Sequence, residues 1–599
     1  MQQDARNEPG GAAHTSAAPT QREDAQHEAT QHEDAQHQAT QHQDALVSVS
    51  GLTVGFTTDA GETQVLHGVD LDIKPGERVA IVGESGSGKS TVAAAIMGLL
   101  ATNGRVTGGS ITLRGREISG ATEAELRRIR GEQIGLVPQD PMSNLNPTMR
   151  VGAQIADTIL AHPGSHGDLS RAGVRTRVAE LMALAGIPDA ERRAKQYPHE
   201  FSGGMRQRVL IAIGLACNPD LLIADEPTSA LDVTVQRQIL DHLQSLIDAE
   251  GTALLFITHD LGLAADRADR VIVMSQGRIV EQGTPEAILK APKEEYTRRL
   301  VAAAPSLVAV RDRDAAKVRG EQAARAEARD QLQLDTGAFG TPLLSVSGLT
   351  KEYRIRGGGG ILRAVDNISF DVAAGTTTAV VGESGSGKTT LSRMVLGLET
   401  PTSGTVHLGD EDIAVARGAR LRAARRRMQP VFQDPFGSLD PSYSIERLID
   451  EPLRIFGVGD RASRRARVAE LLDQVSLPRL VAQRRPGQLS GGQRQRVAIA
   501  RALAINPQLV VCDEAVSALD VLVQDQILEL LAELQSELGL TYLFITHDLA
   551  VVRQIAHQVL VMKQGAVVES GSVDTIFETP ATEYTAQLLD SIPGAAFFA

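Results

Sequence analysis

The chain has 599 residues, of which 42% are hydrophobic and 22% charged, the balance of a folded globular protein long enough for several domains. A net charge of −14 argues against broad nucleic-acid binding, which draws on a cationic surface, and no apolar run approaches the roughly eighteen residues that a bilayer-spanning helix needs. Two cysteines, Cys217 and Cys512, are too few for a disulfide framework or a cysteine-ligated cluster, and they point to a reducing compartment.

Residues 1–45 carry almost no large apolar side chains and repeat imperfectly, Thr20–Ala29 returning as Thr30–Ala39. Such a segment cannot bury enough surface to offset its ordering entropy, so it reads as a disordered low-complexity tail. His27, His32, His37 and His42 recur at a spacing that lines up on no helix face, and a solvated tail is favoured over a metal site. The segment also lacks the basic start and apolar core of a secretory signal.

A first folded unit is expected over residues 46–305. Its early landmark is Val79–Val82, a β-branched run of the kind that forms a buried parallel strand. That run leads into Gly83-Glu84-Ser85-Gly86-Ser87-Gly88-Lys89-Ser90-Thr91 and then a helical pattern to Leu100. Glycines let such a loop wrap a phosphate chain, and N–H groups at the helix start face negative charge. The pattern assigns Lys89 to the β- and γ-phosphates and Ser90 to Mg²⁺. Farther on, Ser202-Gly203-Gly204 precedes a helical stretch from Met205 to Ala216. Serine is a favoured N-cap, and the glycines leave room for a phosphate at the helix end. Leu221–Ala224 is an apolar strand followed by Asp225 and Glu226. Successive strand residues point to opposite faces. The pair is therefore expected to divide two tasks, Asp225 joining the Mg²⁺ shell and Glu226 polarising the water that attacks the γ-phosphate.

Residues 306–342 are rich in Ala, Arg and Asp with alternating signs, as at Arg311, Asp312, Arg313 and Asp314, which suits a solvated helix or tether. Beyond this linker, residues 343–599 repeat the first unit. Thr378–Val381 leads into Gly382-Glu383-Ser384-Gly385-Ser386-Gly387-Lys388-Thr389-Thr390 and a helical pattern to Leu398. Ser490-Gly491-Gly492 precedes Gln493–Ile505, and Leu509–Cys512 ends in Asp513 and Glu514. Ser202 to Ser490, Asp225 to Asp513 and His259 to His547 span one and the same interval, so the copies differ in length only upstream of these residues. Two complete phosphate loops in a strand-to-helix context leave a bare glycine turn little room. Cys217 and Cys512 read as small apolar fillers.

These residues carry a resemblance, over both units, to ABC-type ATPases. The Ser-Gly-Gly-x-Arg-Gln-Arg segments resemble that family's signature, Gln139 and Gln433 its Q-loops, Ser229–Asp232 and Ser517–Asp520 its D-loops, and His259 and His547 its switch histidines. Phe56 and Tyr353 stand where the family stacks an aromatic ring on adenine. The resemblance implies an α/β fold of two P-loop NTPase domains, ABC-type and RecA-like, each with an antiparallel β-subdomain and a helical signature subdomain. It implies ATP and Mg²⁺ as ligands, the metal near Ser90, Gln139 and Asp225 in one site and Thr389, Gln433 and Asp513 in the other. It also implies a head-to-tail pseudo-dimer within one chain. Lys89, Gln139, Glu226 and His259 would face Ser490 and Gly492, while Lys388, Gln433, Glu514 and His547 would face Ser202 and Gly204. Both sites keep lysine, glutamate and histidine, so two hydrolytic sites are expected. Met205 and Ala515-Val516 depart from the family's pattern without touching phosphate-binding atoms.

Gln139–Pro147, Gln433–Pro441, Tyr197–Ser202, Pro292–Leu300 and Pro580–Leu588 resemble the peptide and nickel importer branch. That resemblance implies an ATPase that energises import, first of di- or oligopeptides. Its partners would be two integral-membrane permease subunits and a solute-binding protein, with the chain peripheral at the cytoplasmic face of the cell membrane. The branch's cysteine cluster is missing, so no iron–sulfur site is expected. The rival reading is a soluble tandem ATPase acting on ribosomes or nucleic acid. It calls for a long basic linker and a cationic surface, and the mixed-charge linker and the acid excess count against it.

Overall fold

The computed structural model describes residues 45–58, 61–165, 169–228, 231–304, 342–354, 360–517 and 519–594. The histidine-bearing tail, nearly all of the expected linker and Ser229 of the first D-loop lie outside the described residues.

In the first unit the strands are β1 (Val47–Thr58), β2 (Gly61–Ile73), β3 (Arg78–Val82), β4 (Gly104–Leu113), β5 (Arg116–Glu117), β6 (Ile134–Val137), β7 (Leu221–Asp225), β8 (Ala253–Ile257), β9 (Arg270–Ser275) and β10 (Arg278–Gly283). They form a four-stranded antiparallel sheet in the order β2-β1-β4-β5 and a six-stranded sheet in the order β10-β9-β3-β8-β7-β6. The larger sheet is parallel from β6 to β9, with β10 added antiparallel at the edge. Its central strands are buried on both faces, which is why they read as unbroken apolar runs.

The second unit repeats the plan with β11 (Leu344–Arg354), β12 (Ile361–Val372), β13 (Thr377–Val381), β14 (Ser403–Leu408), β15 (Glu411–Asp412), β16 (Met428–Val431), β17 (Leu509–Asp513), β18 (Thr541–Ile545), β19 (Gln558–Lys563) and β20 (Ala566–Ser572). Its sheets run β12-β11-β14-β15 and β16-β17-β18-β13-β19-β20, the same two sheets again.

Each large sheet is packed on both sides. On one face of the first, Val79, Ile81 and Leu255 share a core with Val47, Val54 and Ile111 of the antiparallel sheet. On the other, Val82, Ala224 and Phe256 share a core with helices Val151–Ala161, Arg171–Leu184 and Gly203–Gly214. Val521, which opens helix Val521–Leu538 of the second unit, belongs to that same core. The two units therefore meet through buried apolar contact. Among the described residues no helix is long and apolar enough to cross a membrane.

Several helix limits differ from the sequence expectation for identifiable reasons. The helices after the glycine loops span Lys89–Ile96 and Lys388–Val395 and stop short of Leu100 and Leu398. Gly98 and Gly397 adopt left-handed backbone there, with φ of 61° in both. The Leu99 and Leu398 N–H groups turn back to Ala94 O and Arg393 O at 2.7 and 2.8 Å, a glycine-terminated C-cap. The signature helices begin at Gly203 and Gly491 because Ser202 and Ser490 cap them, each hydroxyl accepting a 3.3 Å bond from the N–H of Met205 or Gln493.

Candidate active sites at the domain interface

Strands β3 and β13 both deliver a glycine loop to the same end of the large sheet. Gly83 has φ of +153°, and a Cβ there would lie 2.2 Å from the Met274 carbonyl oxygen; Gly382 repeats this with φ of +150° and Met562 O at 2.1 Å. No side chain fits either position. The Lys89 ammonium donates to Gly83 O (2.7 Å) and Glu84 O (2.8 Å), and Lys388 does the same to Gly382 O and Glu383 O at the same distances. Both lysines are buried, and burial lowers their pKa values despite the neighbouring carboxylates. The hydroxyls of Ser87 and Ser386 are buried without a hydrogen-bond partner among the described residues. Such groups are normally paired, so each points to an acceptor or donor supplied by a ligand. Ser85, Gly86, Gly88, Ser90 and Thr91 line an adjoining recess.

The acidic pairs are built differently from the strand alternation expected of them. β7 and β17 end at Asp225 and Asp513, and the next residues, Glu226 and Glu514, turn left-handed with φ of 44° and 50°. Pleat alternation therefore does not aim the glutamates. A backbone conformation rare outside glycine does. The Glu226 and Glu514 N–H groups are pinned to Ile257 O and Ile545 O, each at 2.9 Å.

Each glutamate is then held by two side chains from distant elements. Gln139 Nε2 donates to Glu226 Oε2 at 2.7 Å, and His259 Nδ1 lies 3.2 Å from Oε1. Gln433 and His547 meet Glu514 in the same way at 2.6 and 3.3 Å. Burial alone would raise the carboxyl pKa values, but the hydrogen bond and charge of the histidines, with the lysines, outweigh it and lower them. Burial would likewise lower the histidines, and their glutamate partners raise them instead. Each pair is thereby biased towards carboxylate and imidazolium.

The other carboxylates differ between copies. Asp225 Oδ1 accepts from Ser90 Oγ at 3.1 Å. Asp513 Oδ2 accepts from Ser392 Oγ at 2.9 Å, so the hydroxyl on Asp513 comes from Ser392 and not from Thr389, the counterpart of Ser90. The position equivalent to Ser392 in the first unit is Ala93. Burial raises the pKa of both aspartates.

The recess beside Lys89 is completed from the other unit. Gln139, Glu226 and His259 line it together with Ser517, Leu519 and Asp520. In the reciprocal direction Asp232 Oδ2 accepts from the N–H of Ser384 in the second glycine loop at 3.3 Å. Asp232 and Asp520 also cap their own helices through Val235 N (3.0 Å) and Val523 N (3.1 Å). The signature turns stay outside the recess. Gly204 and Gly492 pack so closely on those capped helices that a Cβ would lie 2.8 Å from Val235 Cγ1 or 2.4 Å from Val523 Cγ1, whereas Gly203 and Gly491 have ordinary room. The signature arginines brace the helical region: Arg206 and Arg494 donate to Pro198 O and Pro486 O, each at 2.7 Å.

Phe56 is half-buried on β1, where it packs against Gly104. Tyr353, at the equivalent place on β11, is 38% exposed beneath the Lys351 ammonium. Sequence reading passed over Ser392 and the hydroxyls of Tyr296 and Tyr584, which accept from the N–H groups of Glu84 (3.1 Å) and Glu383 (3.3 Å) in the glycine loops. The only signal for the tyrosines was the recurrence of Pro-x-x-Glu-Tyr-Thr.

Two glycine loops, each backed by a lysine, an aspartate and a glutamate held between glutamine and histidine, define a tandem P-loop ATPase. The ABC transporter family model matches residues 66–229 and 365–517, and the chain belongs to that family. A second model, the oligopeptide/dipeptide transporter C-terminal region, matches residues 280–331 and 568–596. The chain is 44% identical over 565 residues to the glutathione import ATP-binding protein GsiA of Salmonella typhimurium, with 92% of this chain and 90% of that protein covered. It is 42% identical over 606 residues to the oligopeptide transport ATP-binding protein OppD of Mycobacterium tuberculosis, with 92% and 98% covered. Among solved structures, the dimeric form of a bacterial ABC transporter cassette is 33% identical over 38% of this chain and 98% of that one, with a TM-score of 0.36.

Proposed function

We propose that this chain is the ATP-hydrolysing subunit of an ABC importer for di- or oligopeptides, glutathione among them, and that it forms two composite ATP sites between its own two domains. The observation that carries the composite sites is the reach of each D-loop aspartate across the interface, Asp232 to Ser384 N and Asp520 into the recess beside Lys89. The two relatives, matched over more than nine-tenths of this chain, are import and transport ATP-binding proteins, which supports the importer reading over a ribosomal or nucleic-acid role.

In this reading the loops Gly83–Thr91 and Gly382–Thr390 wrap the phosphates, and Lys89 and Lys388 exchange loop carbonyls for the β- and γ-phosphate oxygens. Glu226 and Glu514 orient and polarise the attacking water, with His259 and His547 fixing the carboxylates and Gln139 and Gln433 sensing the γ-phosphate side. Ser202, Gly203 and Gly204 serve the second site, and Ser490, Gly491 and Gly492 the first. They present a capped helix N-terminus to the phosphate held opposite. Phe56 and Tyr353 flank the adenines.

The oxygen donors suit Mg²⁺: Ser90 Oγ and Asp225 Oδ1 already converge within 3.1 Å, and hard oxygen ligands are what that ion takes. Ser90, Gln139 and Asp225 would hold it in one site, and Thr389, Gln433 and Asp513 in the other. Bound there, the metal supplies neutralisation of charge on the β- and γ-phosphates.

ATP binding closes the domains on one another, and the differential affinity for the closed form biases two membrane-embedded permease subunits fed by a solute-binding protein. Met142, 64% exposed, and Phe432, 37% exposed, each lie near the Q-loop glutamine of their own domain, exposed apolar side chains of the kind a permease would cover. The chain acts as a peripheral subunit on the cytoplasmic face of the membrane.

The Glu226→Gln/Glu514→Gln chain tests the catalytic assignment: turnover should fall at least a hundredfold while ATP binding persists, and parental turnover would overturn it. Purification with the membrane subunits, followed by uptake of labelled oligopeptides and glutathione into vesicles, tests the cargo.

A further inference from the structure

The segments Pro292–Leu300 and Pro580–Leu588 contribute nothing to the chemistry assigned above, yet both reach the glycine loops. Each is anchored by a carboxylate on the last strand of its domain. Glu281 accepts from Lys293 N (2.8 Å) and Glu294 N (3.2 Å), and Glu569 from Ala581 N (2.7 Å) and Thr582 N (3.0 Å). From that anchor, helices Glu295–Ala303 and Glu583–Asp590 carry Tyr296 and Tyr584 to the second residue of the glycine loop. Each phenol oxygen takes that residue's N–H. Tyr584 is buried and Tyr296 half-buried. Burial pushes both hydroxyls up to about 12, so they stay neutral acceptors across the physiological range.

In the second loop the next N–H along, that of Ser384, is taken by Asp232 of the opposite domain. Two successive N–H groups are thus held from two sides, one in cis and one in trans. The tyrosine helices also lie on the opposite domain: Glu295–Ala303 packs against Val521–Leu538, and Glu583–Asp590 against Val233–Glu250. Arg237 donates to Asp590 O, and Gly594 N donates to Asp266 Oδ2 at 2.8 Å.

We infer that Tyr296 and Tyr584 are positioning residues for the nucleotide loops, each clamping the second loop residue, and that in the second loop the opposite D-loop aspartate holds the third, so that this loop takes its binding shape only when the two domains meet. This rests on the assignment of those loops to ATP. A tyrosine clamp explains why the C-terminal segments keep the same Glu-Tyr-Thr run in both copies.

The test is the full-length chain carrying Tyr296→Phe and Tyr584→Phe, with ATP affinity read by displacement of a fluorescent nucleotide analogue and turnover followed separately. Phenylalanine keeps the ring and removes only the acceptor. The expected result is an ATP Kd weakened about three- to tenfold, within the worth of one neutral hydrogen bond, with KM raised alike, kcat within about twofold and the unfolding midpoint lowered by no more than a few degrees. Parental affinity in this variant would overturn the inference, since a ring that only packs loses nothing on becoming phenylalanine. In a double-mutant cycle, Tyr584→Phe with Asp232→Asn should weaken binding by less than the product of the single effects, and simple multiplication would overturn the cross-domain part. Affinity is read without turnover. A parent chain that binds ATP but does not hydrolyse it would therefore count against the ATPase assignment alone.

Discussion

Glu226 and Glu514 hold a left-handed backbone at a cost of roughly 1–3 kcal/mol each, and the side chains around them keep it in place. His259 and His547 contribute to that hold through ion pairs whose strength depends on pH. The histidine pKa is raised in the folded chain, so its stabilisation is fully present below the unfolded value, about 6.5, and is lost as pH rises through the folded value. The glutamate pKa is lowered, so its share is present above about 4.3 and is lost as pH falls through the folded value. A His259→Gln/His547→Gln chain should therefore melt furthest below the parent near pH 5–6 and approach it on the alkaline side; a constant gap from pH 5 to 9 in thermal scans would refute the pairing.

A second residue-scale expectation concerns Ser392, which is 1% exposed and bonded to buried Asp513. Ser392→Ala should destabilise the second domain by about 1–3 kcal/mol in urea unfolding, as expected when a buried carboxylate loses its donor. The lysines, glutamates, glutamines and histidines were all legible in sequence because the short motifs around them recur in both copies. Ser392 was not, since a single serine among Leu391, Met394 and Val395 reads as part of an apolar helix face.

At the scale of elements, the glycines of the signature turns answer to two demands. The sequence argues for room at a helix end. The packed structure adds that Gly204 and Gly492 let the signature helix lie against the helix that follows the D-loop. Gly492→Ala puts a methyl 2.4 Å from the β-branched Val523, which has little freedom to retreat. It should lower stability by about 1–3 kcal/mol through overpacking. Gly491→Ala, with its nearest contact at 3.7 Å, should be structurally neutral, and equal melting points for the two variants would contradict this packing. The strands that carry the glycine loops and the acidic pairs followed from apolar runs, whereas sheet order did not. Helix ends did not, because they depend on which glycine turns left-handed and which serine caps. The direction of Glu226 was likewise invisible to a period-two rule that holds only inside a strand.

On the scale of the whole molecule, the duplication in sequence announced two equivalent halves, and the cross-domain contacts make each half incomplete by itself. What the repeat could not reveal is which residues cross, because a contact between copies leaves no mark on the spacing within either copy. Asp232 is the clearest case: one carboxylate oxygen caps its own helix and the other reaches the opposite glycine loop. Asp232→Asn separates the two roles. The amide oxygen can still cap Val235 N, so the cap is retained where alanine would forfeit about 1 kcal/mol, but the amide nitrogen meets Ser384 N as donor against donor. The consequence should be confined to the second site. In a Glu226→Gln background the remaining turnover belongs to the Lys388 site, and adding Asp232→Asn should raise its KM for ATP about threefold or more, a charge-assisted hydrogen bond having been lost. In a Glu514→Gln background the remaining turnover belongs to the Lys89 site, and the same substitution should change KM by less than about twofold. Equal effects in the two backgrounds would mean that Asp232 acts through its own domain, and the head-to-tail arrangement would have to be abandoned.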